Sequence, residues 1–172
     1  MTEPTSEIVT MFAYGSNMLA ARMMARVPSV RPLGSARLEG FVLSWNKRSK
    51  DGSAKCSIEE TGQREDVVWG VLYALNREDK RKLDDFEGLG HGYGERMVTV
   101  LAGGKPLRVW AYYATSVDLN VRPYDWYRDL VVAGAHEHGF PPEYIESLEA
   151  VPTIKDPDGK RAARERQLLQ VH

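Results

Sequence analysis

Nine consecutive residues, "VVWGVLYAL" at positions 67–75, constrain this chain more than any other stretch. They are nearly all apolar and mix β-branched with aromatic side chains, which at this length favours a strand. Apolar residues at both parities leave no face for water. The strand must be covered on both sides or sit centrally in a closed sheet. Gly70 has no side chain to pack, so another group is expected to approach the backbone closely there.

The remaining pattern supplies partners for that strand. Residues 8–14 read as a short apolar strand. "GSARLEGFVLSW", residues 34–45, reads as one strand with Gly40 at a bulge or bend. Asp51-Gly52 marks a turn, "AKCSIEE" is a short strand, and residues 60–66 form a polar loop. "GERMVTVLAGGKPLRVWAYYAT" holds two strands joined at Ala102-Gly103-Gly104-Lys105 with hairpin spacing. In the second, Val109, Ala111 and Tyr113 share one face, and Arg108, Trp110 and Tyr112 the other.

Helices interrupt these strands at irregular intervals. Residues 18–26 form the first, ending before Val27-Pro28 because proline disfavours a helical residue ahead of it. "NREDKRKLDDFEG" is the second: Asn76 caps it, Glu78 and Asp79 place negative charge in the first turn, and Gly88 stops it. Leu83 and Phe86 are three apart and suit one inward face. A third spans residues 124–136 and ends at Gly139. Pro142 opens a fourth at the favoured first position, with Tyr144, Ile145 and Leu148 inward. Adjacent strands without a regular βαβ order predict an α+β fold, with a mostly antiparallel, barrel-like sheet and short flanking helices. One domain is expected over residues 8–152, followed by a charged tail, residues 153–172, with a turn at residues 156–159. Residues 1–7 read as polar and loose.

Composition narrows the function. The 172 residues, 42% apolar, suit a single core. A formal net charge of -1 argues against a nucleic-acid partner. The Lys47-Arg48 pair reads as a solvated strand end. The single cysteine, Cys56, cannot form an internal disulfide; it reads as strand packing in a reducing compartment. The first fifteen residues lack a signal-peptide pattern, and no window is long and apolar enough to span a membrane, so the cytoplasm is the expected location. Trp126 and the tail are the candidates for a homodimer interface.

Three groups of residues can carry chemistry. Tyr14, Gly15, Ser16 and Asn17 fall between a strand and a helix. Backbone N–H groups at such a turn can converge on an anion. Gly15 would allow an uncommon backbone angle and close approach, and Ser16 or Asn17 can cap the helix, so geometry alone also accounts for the letters. The P-loop spacing is absent. Glu87 falls in the last turn of its helix, where the partial negative charge and partial burial beside Phe86 would both favour a protonated carboxyl and suit proton exchange. Asp84 and Asp85 beside it equally describe a solvated acidic end. Tyr113 and Tyr127 suit either a core or a pocket wall. His136 and His138 are two apart and point in different directions on a helix, so no metal site is expected. "GLGHGYG", residues 88–94, follows a helix rather than a strand and is not a dinucleotide loop; a loop or lid is the better reading.

Read in order, "FAYGSNM", "VWGVLYALNREDKRKLDDFEG", "VWAYYAT" and "YDWYRDLVVAGAHEHGFPPEY" resemble the gamma-glutamylcyclotransferase-like (AIG2-like) family over residues 9–152. The resemblance implies an α+β domain around a barrel-like sheet. It implies a reaction in which the α-amine of a small γ-glutamyl substrate attacks its own γ-carbonyl, giving 5-oxoproline and a free amine without cofactor or metal. It places the catalytic acid on Glu87 and the substrate cradle on Tyr14, Gly15, Ser16 and Asn17. It puts pocket tyrosines on Tyr113 and Tyr127. Phe86 departs from the polar residue found before the acid in several relatives. Removal of a γ-glutamyl tag from a biosynthetic intermediate, and noncatalytic binding of γ-glutamyl compounds, are the alternative readings.

Overall fold

In a computed structural model, described over residues 7–171, seven strands and five α-helices surround one core. The loose segment expected at residues 1–7 lies outside the described residues except for Glu7. β1 (Ile8–Ala13), β5 (Val67–Asn76), β2 (Arg31–Glu39), β6 (Tyr93–Ala102) and β7 (Lys105–Ala114) close a barrel in that order. All its ladders are antiparallel except the parallel β1–β7 contact that shuts it. β5 therefore sits between two partners, and Val68, Val71, Leu72, Tyr73 and Leu75 are buried. Gly70 lets β1 cross close by: a Cβ there would lie 2.4 Å from the Phe12 ring and 2.5 Å from Ala13 O.

Residues 34–45 are not one strand. Gly40 takes a positive φ of 83°, reachable without strain only by glycine, and turns the chain out of the barrel. β3 (Phe41–Arg48) then pairs with β4 (Ala54–Glu60) in a two-stranded ribbon, and a bridge at Lys47–Val117 ties its end to the segment after β7. Within the ribbon the register slips between Ser44 and Lys47, which gives β3 one extra residue. Such a bulge re-aims the side chains that follow it.

The first helix is broken. A 3-10 turn at Ser16–Met18 precedes α1 (Ala20–Arg26). α2 (Arg77–Glu87) is capped as expected, the Asn76 side chain accepting from Asp79 N and Gly88 closing it at φ 69°. Leu83 is buried, but Phe86 is 57% exposed, so the two do not share an inward face. α3 (Asp125–Glu137) and α4 (Pro142–Glu149) cover one end, with Ile145 and Leu148 buried. Trp126 is 2% exposed and belongs to the core, so it is closed to a partner chain. The tail folds into α5 (Gly159–Arg166), pinned by Arg22–Glu165 and Arg166–Asp129 contacts of 2.6 Å and 2.7 Å. Before it, Asp156 accepts from Arg161 and from Trp126 Nε1. Among the described residues no helix is long and apolar enough to cross a membrane.

Candidate active site

The chain leaves β1 into a cavity of about 140 Å³. The turn at residues 14–17 forms one wall, and several long-range contacts fix it there. The Tyr73 hydroxyl reaches Asn17 O at 2.8 Å and Met18 O at 3.0 Å, and His138 Nε2 meets Met18 O at 3.0 Å. α3 presses against the same backbone at Gly134, where a Cβ would lie 2.8 Å from Leu19 N. Gly15 has a φ of -109°, outside the left-handed region, so the tight space around it, not its φ, is what favours glycine. A Cβ there would lie 3.1 Å from Tyr127 Oη and 3.3 Å from Cys56 Cβ. Neither Ser16 nor Asn17 caps a helix. The Asn17 side chain is used across the cavity instead.

There it meets Glu87. Asn17 Nδ2 donates to Glu87 Oε1 at 2.6 Å, and Arg26 Nη1 donates to the same oxygen at 3.1 Å and to Asn17 Oδ1 at 3.2 Å. Seventy positions separate Asn17 and Glu87 in sequence. Oε2 carries no hydrogen bond among the described residues, which leaves one carboxylate oxygen for a ligand. The exposed Phe86 lies at the rim, 5.5 Å beneath the Arg26 guanidinium.

Tyrosines line the floor. Tyr127 Oη accepts from Cys56 N at 3.0 Å, Tyr93 donates to Cys56 O at 2.7 Å, and Tyr14 donates to Tyr112 O at 2.7 Å. Burial pushes the pKa values of Tyr14, Tyr93 and Tyr127 well above the ordinary phenol value. It likewise pushes the Cys56 thiol up to about 12. These groups stay protonated near neutral pH and act as neutral walls.

Of the residues expected at the site, Tyr14, Gly15, Ser16, Asn17, Glu87 and Tyr127 line this one cavity. Tyr113 does not. It is 36% exposed and lies over Gly94 of the neighbouring strand, while Tyr112 lines the cavity in its place. The β6–β7 register is unbroken, so Tyr112 keeps the face of Arg108 and Trp110; that face, and not the Tyr113 face, meets the cavity, and the Tyr112 hydroxyl donates to Asp84 of α2. The sequence reading also missed Arg22, Arg26, Lys47 and Lys55 on the cavity wall. Lys47, expected to be solvated, is only 8% exposed. A signal was available for Lys55 alone: its position two residues into a strand beside a packed cysteine.

Comparison with known proteins agrees with the fold. The AIG2-like family profile matches residues 67–148, the segment carrying β5, Glu87 and α3. Gamma-glutamylcyclotransferase of Homo sapiens is 32% identical over 159 residues, covering 88% of this chain and 82% of the relative. The enzyme of that name from Bos taurus is 34% identical over 148 residues, covering 81% and 77%. A solved gamma-glutamyl cyclotransferase structure superposes with a TM-score of 0.85 at 30% identity, covering 95% of this chain and 99% of that one. A barrel of this topology, a glycine turn facing a helix-end glutamate, and identity over most of the length of both chains coincide: this chain belongs to the gamma-glutamylcyclotransferase family.

Proposed function

We propose that this protein releases 5-oxoproline and a free amine from γ-glutamyl amides, with Glu87 as the proton carrier. The observation that carries the assignment of Glu87 is the 2.6 Å contact between Asn17 of the turn and Glu87 at the end of α2. That contact brings backbone donors and a carboxylate to one small cavity.

The reaction needs little else. The α-amine nitrogen attacks the γ-carbonyl carbon of the same molecule, and a five-membered lactam forms. The bond from that carbon to the leaving nitrogen breaks. Glu87 takes a proton from the attacking amine and returns one to the departing nitrogen, so no net proton is consumed. Attack places negative charge on the γ-carbonyl oxygen. The first amides of a helical turn have no intrahelical acceptor, and those of the turn at residues 14–17 suit that oxygen. Because nucleophile and electrophile share one molecule, a cavity that holds the folded substrate supplies the orientation. Asn17 and Arg26 fix the rotamer of Glu87, leaving Oε2 to face the substrate.

Glu87→Gln keeps an oxygen for Asn17 and Arg26 but cannot shuttle a proton. Its kcat for 5-oxoproline release is expected to fall about 10²–10⁴-fold, with near-UV circular dichroism unchanged. Turnover at the wild-type rate would remove Glu87 from the mechanism. Saturable binding across a panel of γ-glutamyl amines, with no product from wild-type protein, would point to a binding domain instead.

A further inference from the structure

Glu87 reaches the cavity from the last turn of α2, so the setting of that helix decides where its carboxylate arrives. Apolar packing fixes α2 at few points. Of its eleven residues only Asp79, Lys80 and Leu83 are buried, and two of those three are charged. Leu83 is the single buried apolar anchor. Asp79 ties the first turn to Ser29, at the end remote from Glu87. The rotation of the last turns therefore depends on polar contacts made beyond Asp79.

Lys80 supplies them. Its ammonium donates to Asp84 Oδ1 on the next turn of α2 and, at 2.6 Å, to Glu95 Oε2 on β6. Glu95 lies directly opposite Tyr112 in the β6–β7 ladder. The Tyr112 hydroxyl donates to the same Asp84 Oδ1, and its ring centre lies 5.3 Å from Lys80 Nζ. Burial first, and then the bond to Asp84, push the Tyr112 pKa far above the ordinary phenol value, so the hydroxyl stays a donor. Lys80, Asp84, Tyr112 and Glu95 thus close a ring across one helix and two strands. Asp84 and Glu95 both lie within reach of one nitrogen, and without its charge they would repel.

The ring bears on both halves of the site. Lys80, Asp84 and Glu87 stand at i, i+4 and i+7, so they share one face of α2, and the pin at Asp84 is one turn from Glu87. Tyr112 O also accepts from the Tyr14 hydroxyl at 2.7 Å. Tyr112 is therefore the common reference: its hydroxyl holds the helix that carries Glu87, and its carbonyl holds the first residue of the turn. We propose that Lys80 is a positioning residue for Glu87, its ammonium shared between Asp84 and Glu95 to fix the rotation of α2 against β6 and β7. The role rests on the reading of Glu87 as proton carrier. Lys80 itself does not line the cavity.

The test measures 5-oxoproline release from γ-glutamylalanine. Lys80→Met keeps an apolar stem beside Tyr112 and removes the ammonium. Its kcat should fall about 10- to 100-fold, the scale of a small misplacement of a reacting group, while KM stays within about twofold because the cavity walls remain. Lys80→Arg, which keeps a cation between the two carboxylates, should recover most of kcat. Lys82→Met removes a cation from the same helix that pairs with Asp79 outside the ring, and should leave kcat unchanged. Wild-type kcat in Lys80→Met overturns the proposal, as does a change confined to KM or an equal loss in Lys82→Met. Should Lys80→Met lose its near-UV circular dichroism, Glu95→Gln decides: a lower kcat at constant KM supports the role, and an unchanged kcat overturns it. Glu87→Gln run alongside separates the two readings. Wild-type turnover by Glu87→Gln overturns the proton-carrier reading and the Lys80 role with it, whereas an inactive Glu87→Gln beside a fully active Lys80→Met overturns the Lys80 role alone.

Discussion

Two walls of the cavity are built by different means. The turn at residues 14–17 is held through its backbone, by Tyr73, His138 and the close approach at Gly134. The β3–β4 wall presents side chains, Lys47, Lys55 and Cys56, on a ribbon outside the barrel's hydrogen-bond ladder. Backbone fixed from several elements at once tolerates little displacement, because each support would have to move together. Side chains on a separate ribbon can change with less disturbance to the barrel. The first arrangement suits a chemical step that does not vary, the second a recognition step that does.

The sharpest way to break the contrast is Gly134→Ala. The added methyl would meet the backbone of Leu19 and the Cβ of Met18 at 2.8 Å, and neither is the free end of a flexible chain. Overpacking of this kind costs about 1–3 kcal/mol. Thermal unfolding should show a lower Tm, and kcat should fall with it because the turn is displaced. An unchanged Tm together with unchanged kcat would mean the turn is not clamped as described.

Lys55→Met is the matching change on the ribbon, with a smaller expected effect. Asp51 keeps hydrogen bonds from Ser53 N and Ser53 Oγ, so it is not stranded. The methionine stem still covers Tyr127. Both side chains are mostly buried, so the loss should exceed that of a surface pair, yet the two Ser53 bonds that Asp51 keeps should hold it to about 1–2 kcal/mol. A loss as large as that of Gly134→Ala, measured by urea denaturation, would erase the distinction between the two walls.

The smallest effects are those of pH near neutrality. Burial raises the pKa values of Cys56, Tyr14, Tyr93 and Tyr127, so the folded state holds more protons than the unfolded chain in alkali. That stability is complete below about pH 8.5, the unfolded thiol value, and is lost as pH rises toward the folded values. Asp156 works in the opposite sense. Its hydrogen bonds from Arg161 hold its carboxyl well below the usual range. Its contribution is present above about pH 4 and fades as pH falls below that. Denaturation midpoints should be nearly level between those limits and decline beyond both. A midpoint that climbs between pH 9 and 11 would contradict the buried phenols and thiol.

Most of the barrel was legible because its signals are local. The apolar run of β5, the glycines joining β6 to β7, and the Asn76 cap with its Gly88 stop each lie within a few residues of the structure they determine. Glu87 and the turn could be singled out for the same reason. What escaped depended on distant partners. Gly40 looks alike as a bulge or as the exit from a sheet, and only the pairing of the strands decides between them. Tyr112 and Tyr113 differ by one position, and only the packing of α2 on the strand, through Asp84, shows which face meets the cavity. Lys47 sits beside Arg48 in a basic pair, yet the slip in β3 buries one and exposes the other. The tail looked like charged surface because Glu165 and Arg166 show their purpose only against Arg22 and Asp129.

The exit at Gly40 also bears on how such a protein can diversify. Every ladder that closes the barrel lies outside β3 and β4, which pair with each other and, at Lys47, with Val117 beyond β7. The ribbon is tied back through the backbone of Cys56, held by Tyr93 and Tyr127, through the bonds of Ala114 N to Ser57 Oγ and of Ala54 N to Arg122 O, and through Asn46–Arg48 against residues 116–118. Substitutions along the ribbon away from those ties can accumulate without cutting a rung of the barrel. One scaffold can therefore keep its reacting end while its other wall is rewritten, a modular division written into a single left-handed glycine.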